Sequence, residues 1–272
     1  MSRRPDYTTF AGLAVAAAGI LGGLALERGQ AQDLAQATAA LIVLGGTAGA
    51  LLISTPRSSL ARALRRGGTL FFEETRDDRA VVERIVGFST QARRRGVVSL
   101  EEQATQVGDP FLRKALLLAV DGVDSTEIRR QLESEIRIED NRADADAKVF
   151  ETAGGYAPTI GIIGAVLGLI QVMKQLENVG DVGRGIAMAF VATIYGVGAA
   201  NLLLFPAAAK IRARAARKAE ERELTMEGVL MVAEGLHPFL VRSRLEGYLE
   251  RAGRPAAPEK ASARVAAEGV RA

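Results

Sequence analysis

The sequence predicts an all-α, polytopic membrane protein with four transmembrane helices and a helical cytoplasmic domain, and three observations carry that prediction. Four stretches contain no Asp, Glu, Lys or Arg: Tyr7–Leu26 (20 residues), Leu34–Pro56 (23), Thr152–Met173 (22) and Gly185–Ala209 (25). An apolar run of about 20 residues is long enough to cross a bilayer as a helix. All 67 charged residues of the 272-residue chain fall in the other 182 positions, a density of 37% that a whole-chain value of 25% conceals. Basic residues also gather at one end of each span, and the charged segments between spans carry helical periodicity with no strand pattern.

Met1-Ser2-Arg3-Arg4 before the first run has the look of a signal peptide, but the run exceeds the usual h-region of about 7–15 residues and is read as a retained span. The connections Glu27–Asp33 and Lys174–Arg184 hold only Arg28, Lys174 and Arg184 as basic residues. Arg57, Arg62, Arg65 and Arg66 follow the second span, Arg142 and Lys148 precede the third, and Lys210, Arg212, Arg214, Arg217, Lys218 and Arg222 follow the fourth. The positive-inside rule makes those ends cytoplasmic, so both termini are inside and both short connections outside. The expected organisation is an N-terminal transmembrane hairpin (1–55), a cytoplasmic helical domain (56–151), a second transmembrane hairpin (152–209) and a cytoplasmic C-terminal helix with a flexible tail (210–272).

Within the cytoplasmic domain, Arg76–Arg95 presents Val81, Val82, Ile85, Val86 and Phe88 on one helical face, and Gly96 is placed to end the helix. Ser99 and Glu102 have capping-box spacing, which predicts Ser99 as N-cap of the next helix. Pro110–Val120 reads as a short amphipathic helix, and Asp124-Ser125-Thr126-Glu127 opens a longer one running towards the third span. The tail repeats the theme over Ala207–Leu236, basic at first and apolar at Val229–Val232, with His237-Pro238 as a solvated turn. From Gly253 onward, Ala, Pro and charge dominate, a composition that predicts disorder.

Several functional classes are excluded by what the chain lacks. With no Cys and one His it offers no disulfide, thiolate ligand, His-based zinc cluster or His-centred triad. No P-loop or GxGxxG follows a predicted strand, so neither a nucleotide nor another cofactor is expected, and no constellation of nucleophile and base points to an enzyme. The net charge of +3 sits beside the apolar spans, which is membrane topology rather than a nucleic-acid footprint.

Inside the spans, Gly19/Gly23, Gly45/Gly49 and Gly164/Gly168 are GxxxG pairs, and Ala192/Gly196 is a small-xxx-small pair. Such faces predict close helix packing within or between subunits. Polar groups in the spans include Thr38, Thr47, Tyr156, Thr159, Gln171, Thr193, Tyr195 and Asn201, and none is ionisable at neutral pH. An ion pathway normally needs ionisable groups at membrane depth. The chain is therefore expected to wall a pathway whose carboxylate comes from another polypeptide. Pro158 is expected near a helix start, where proline is tolerated, and Pro206 near the inner end of the fourth span, where it removes a hydrogen bond and permits a kink.

Ala40-Leu41-Ile42-Val43-Leu44-Gly45-Gly46-Thr47, the run from Gly154-Gly155-Tyr156-Ala157-Pro158 to Gly168-Leu169-Ile170, and Ala189-Phe190-Val191-Ala192-Thr193-Ile194-Tyr195-Gly196 followed by Asn201-Leu202 resemble the MotA family, the A subunits of flagellar motor stators. The match runs in order from Phe10 to about Tyr248. The first span matches by position and Ala/Gly-rich character. The resemblance implies a stator unit in the bacterial inner membrane: a pentamer of this chain around single-span B subunits whose aspartate carries the ion. It implies that ion flow turns the A ring against the switch-ring protein of the flagellar rotor, with Arg93 and Glu101 as rotor contacts. Pro158 and Pro206 match prolines that couple ion flow to rotation, and Thr193 matches a threonine near the ion path. Sodium-driven relatives place a threonine in the third span where this chain has Ala165, so the transported ion is expected to be the proton. Membrane lipid is the remaining partner. The competing readings are an ExbB/TolQ-type energy-transducing channel subunit, whose three spans differ from four here, and a passive membrane scaffold.

Overall fold

The computed structural model describes residues 3–27, 34–74, 77–174 and 179–252. The predicted tail from Gly253 lies outside the described residues, as does most of the first short connection. Among the described residues, four helices are long and apolar enough to cross a membrane: Tyr7–Leu26, Ala37–Ser54, and the apolar parts of Ser125–Lys174 and Val182–Ala233. The chain divides into two compact units, 1–76 with 137–218 and 77–136 with 219–272.

The first unit begins with strand β1 (Arg3–Pro5) and helix α1 (Tyr7–Leu26), whose N-cap Asp6 accepts the backbone N–H groups of Thr8 and Thr9 at 3.1 and 3.2 Å. No residue of α1 is buried by the rest of the chain. The second span is α2 (Ala37–Ala40), a π-helical segment Leu41–Gly45, and α3 (Gly46–Ser54). Two residues later α4 (Arg57–Gly68) starts, and after a 3-10 turn at Thr69–Phe71 strand β2 (Phe72–Glu74) pairs antiparallel with β1. The sequence called for no strand; this ribbon of three residues per strand is too short for periodicity to reveal, and the fold remains all-α.

The second unit is built on α5 (Asp78–Arg95), α6 (Glu101–Gln106), α7 (Pro110–Val120), the opening of α8 (Ser125–Lys174), the end of α10 (Phe205–Ala233) and α11 (Pro238–Ala252). Its core is apolar: Ile85, Leu100, Leu116, Ile128, Leu132, Val229, Val232, Val241 and Leu245 are all essentially inaccessible. Each such side chain contributes about 1.5–3 kcal/mol through burial. Gly228 permits the closest approach there, since a methyl group on it would stand 2.7 Å from Ile85 Cδ1. Charged pairs rim the core: Arg129 grips Glu227 with both guanidinium nitrogens, Arg242 grips Glu83 likewise, and Arg222 lies 5.2 Å over the Phe111 ring. Helix α7 has the bounds that the sequence predicts because Asp109 caps it, accepting the Phe111 N–H at 2.8 Å, and Pro110 suits its first turn.

Candidate functional site

The site lies along the hairpin of the third and fourth spans, formed by the later part of α8 and α9 (Val179–Gly198). Small residues recur on α8 at Ala157, Gly161, Gly164 and Gly168, and on α9 at Gly185, Ala189, Ala192 and Gly196. These two rows are in direct backbone contact. A methyl group on Gly168 would stand 2.9 Å from the Gly185 carbonyl oxygen, and one on Gly161 2.9 Å from that of Ala192. One on Gly196 would stand 2.5 Å from the Ala157 carbonyl oxygen and 3.1 Å from Pro158 Cα. In lipid, where apolar burial supplies no force between helices, such close approach is a main source of association. The second span joins through Gly46 against Ile160, and Ile42 against the position of Gly164.

Of the predicted coupling residues, Pro158 and Thr193 both lie on this seam, Gly196 abutting Pro158 and Gly161 abutting the Thr193 backbone. Ala165 is half-buried beside Gly164, whose own place on the seam is against Ala192. The Thr193 hydroxyl donates to the Ala189 carbonyl at 3.2 Å, leaving its lone pairs open. Pro206 is exposed in the first turn of α10, while its neighbour Phe205 lays its ring on Gly154, four residues before Pro158.

The expectation for Pro158 requires correction. It does not stand near a helix start but inside the 50-residue α8, which continues without a break from Ser125. The proline removes the bond that the Gly154 carbonyl would accept. At Pro206 the backbone does depart from the α form: the turn before it, Ala199–Leu204, is a π-helix. The proline cannot donate to the Leu202 carbonyl, and wider π turns of this kind concentrate at functional positions.

The glycine pairs divide. Gly164 and Gly168 pack inside the chain, as do Ala192 and Gly196, whereas Gly19, Gly23, Gly45 and Gly49 have nothing within 4 Å of an added methyl. Sequence reasoning missed Gly161, Gly185 and Ala189, since the seam alternates spacings of four and three and a fixed GxxxG template skips half of it.

Buried charge is concentrated at the charged ends of the spans. Asp146 of α8 is fully buried and ion-paired with Arg62 at 2.6 Å and Arg66 at 3.2 Å, and Arg66 also reaches Glu139 at 2.8 Å. Arg212 holds Asp144 at 2.7 Å and grips Glu151. Asp6 is 4% exposed and receives Lys210 and Arg214, and Arg214 also donates to the Thr69 and Leu70 carbonyls at 2.8 and 2.9 Å. Burial alone would raise the Asp6 pKa, but hydrogen bonds from Lys210, Thr8, Thr9 and Arg214 outweigh it and hold the carboxyl well below the usual carboxylate range.

In the second unit, Arg93 is exposed in the last turn of α5 and Glu101 is exposed in the first turn of α6. Gly96 separates the two helices at φ +84°, a conformation open to glycine, with its N–H on the Ala92 carbonyl at 2.8 Å. The predicted capping box does not form. Residues Val97–Leu100 make a 3-10 turn in which the Ser99 hydroxyl donates to the Gly96 carbonyl at 2.7 Å, so Leu100 precedes α6 without a side-chain cap. Gln91 fixes this loop by donating to the Ser99 carbonyl at 2.8 Å. His237 is exposed, as expected, and its Nδ1 accepts the Phe239 N–H at 3.2 Å.

Residues 10–94 match the model described as motility protein A N-terminal, and residues 103–224 match that of the MotA/TolQ/ExbB proton channel family. Motility protein A of Bacillus subtilis is 33% identical over 248 residues, spanning 90% of this chain and 91% of that protein. The chain belongs to the MotA family, the A subunits of flagellar motor stators. Two solved MotA-containing structures are similar along almost the whole length. The flagellar MotAB stator complex from Bacillus subtilis aligns with a TM-score of 0.84 at 32% identity, covering 91% of this chain and 98% of that one. C. jejuni MotAB aligns with a TM-score of 0.86 at 27% identity, covering 93% and 98%. The match of residues 10–94 to the motility protein A N-terminal model favours the MotA assignment over the TolQ/ExbB alternative. MotA proteins form a family of ion-channel subunits and not a family of enzymes.

Proposed function

We propose that this chain forms, with a single-span B subunit supplying an ion-binding aspartate, a proton-conducting unit that converts proton-motive force into rotation of the flagellar rotor. The observation that carries the reading is the glycine–alanine seam, which sets Pro158 against Gly196 and Thr193 against Gly161 in spans that hold no ionisable side chain. Such spans can wall an ion path but cannot bind the ion, so a partner carboxylate is required. The similarity to two MotAB complexes supports a B subunit and an oligomer, here a pentamer of this chain. The unit sits in the inner membrane with both termini cytoplasmic, in keeping with the distribution of basic residues.

The transported ion is the proton. A desolvated sodium ion needs several oxygen ligands, and Ala165 offers none where a hydroxyl would stand. Thr193 alone is thin coordination. Pro158 and Pro206 act as the points where the third and fourth spans change shape, supported by the orphaned carbonyl below Pro158 and the π turn before Pro206.

Arg93 and Glu101 face the rotor. Both are exposed at the two ends of the Gly96 loop, where charge serves the helix dipoles as well, so a test must separate contact from folding. Arg93→Glu or Glu101→Lys, introduced with the B subunit in a strain lacking its own stator, is expected to abolish most swimming. Membrane levels of the protein and its ion flux stay at wild-type values, since exposed charge pairs contribute only about 0–1 kcal/mol to folding. Normal swimming in both variants, or loss of the protein from the membrane, contradicts the assignment.

A further inference from the structure

Helix α4 has two faces with different fates. Its inner face is committed to the chain: Ala63 is fully buried, Arg62 and Arg66 are ion-paired with Asp146 and Glu139, and Gly67 lies against the Phe150 ring. Its outer face carries Arg57, Ala61, Leu64, Arg65 and Gly68, all exposed and one to two turns apart along one stripe. Leu64 is 61% exposed, and neither Arg57 nor Arg65 meets a carboxylate among the described residues.

The depth of this stripe is set at both ends. α4 begins after Thr55 and Pro56, two residues beyond the end of the second span at Ser54. It ends in the turn that puts the Phe71 ring 5.7 Å from that of Phe10, in the first turn of the first span, where the Asp6 N–H also donates to the Phe71 carbonyl at 2.9 Å. A helix of 12 residues, about 18 Å long, that is tied at both ends to the ends of two spans lies along the membrane surface and does not project from it. Phe71 and Phe72, half exposed, extend the apolar part of the same border.

We infer that the outer face of α4 is a binding surface for anionic phospholipid headgroups, with Arg57 and Arg65 on the phosphates and Leu64 in the acyl boundary. An exposed arginine pair flanking a leucine suits this occupant: guanidinium forks match phosphate oxygens in two-bond geometry, and amphipathic helices at this depth seat their apolar residues among the acyl chains. The pairing of Arg62 and Arg66 with carboxylates leaves Arg57 and Arg65 as the cations free for a ligand from outside the chain. The inference rests on the membrane placement of the chain and not on torque generation, so its test makes no use of motility.

The test compares the full chain in nanodiscs of phosphatidylcholine alone with nanodiscs containing increasing phosphatidylglycerol, reading the thermal midpoint and its rise with anionic lipid. Wild type is expected to gain stability as phosphatidylglycerol is added, less so in high salt. The paired variant Arg57→Gln/Arg65→Gln is expected to melt like wild type in phosphatidylcholine but to need about 10- to 30-fold more anionic lipid for the same gain, at about fivefold per arginine near such a surface. Where the variant melts lower in both lipids, the gain on adding phosphatidylglycerol remains the readout. Arg57→Lys/Arg65→Lys, which keeps the charge but loses the two-bond fork, is expected to fall between wild type and the glutamine variant. An equal gain in wild type and the glutamine variant overturns the proposal, as does no gain in wild type or the same gain from inorganic phosphate in phosphatidylcholine discs.

Discussion

Replacing Gly196 by alanine is expected to break the hairpin of the third and fourth spans. The new methyl would stand 2.5 Å from the carbonyl oxygen of Ala157 and 3.1 Å from Pro158 Cα, both backbone atoms that cannot swing aside. Overpacking typically costs about 1–3 kcal/mol, and here relief requires separating the two helices that carry Pro158 and Thr193. The expected result is loss of most ion flux and a fall in assembled protein, with Gly196→Val worse than Gly196→Ala. Gly198→Ala is the matched control, because nothing lies within 4 Å of a methyl at that position two residues away. Quantitative blotting of membranes with flux measurement on purified protein separates the two. Equal behaviour of the Gly196 and Gly198 variants would show that the seam does not govern assembly.

The second large effect is expected at Asp6. Its side chain is 5% exposed, caps α1 and receives Lys210 and Arg214 of α10, while its backbone N–H donates to the Phe71 carbonyl and Arg214 to those of Thr69 and Leu70. Asp6→Asn preserves the helix cap, since the two residues cap about equally well, and removes only the charge. Leaving Lys210 and Arg214 without their anion is expected to cost about 2–3 kcal/mol, below the range for fully buried pairs because both cations are about one-quarter exposed. Asp6→Ala removes the cap as well and costs about 1 kcal/mol more. The pH dependence follows from the depressed pKa: the stabilisation is complete above the ordinary carboxylate range and is lost as pH falls through the folded value. Melting curves of wild type and Asp6→Asn should therefore differ most near neutrality and converge in strong acid. A pH-independent gap, or none at pH 7, contradicts this account of Asp6.

Much of the architecture is legible in the sequence because the bilayer restricts the choices so strongly. A stretch such as Gly185–Ala209, with no charge in 25 residues, has few other readings. Local chemistry is equally legible where it is self-contained: Asp109 and Pro110 start α7, and Gly96 ends α5 at a positive φ. Legibility fails where partners are distant or spacing is mixed. Nothing near Asp6 announces Lys210 or Arg214, some 200 positions away, and the seam through Gly161 and Gly185 alternates intervals that a single motif overlooks. Pro158 was misplaced for a physical reason. The charge-free run begins just before it, but the helix that carries it begins at Ser125, because helical hydrogen bonding continues across a membrane boundary that composition marks sharply. Ser99 fits a capping box in sequence, yet the 3-10 turn beside Gly96 engages its hydroxyl first.

The central claim is that this chain walls a proton path but cannot complete it alone. Its most direct test is proton flux into proteoliposomes under an imposed membrane potential, comparing the chain alone, its B subunit alone, and the two together, with and without sodium. The account predicts flux only when both subunits are present, undiminished when sodium is withheld, because the spans of this chain hold no ionisable side chain and no third-span hydroxyl at Ala165. Equal proton flux through the chain alone, or flux that stops without sodium, would contradict it.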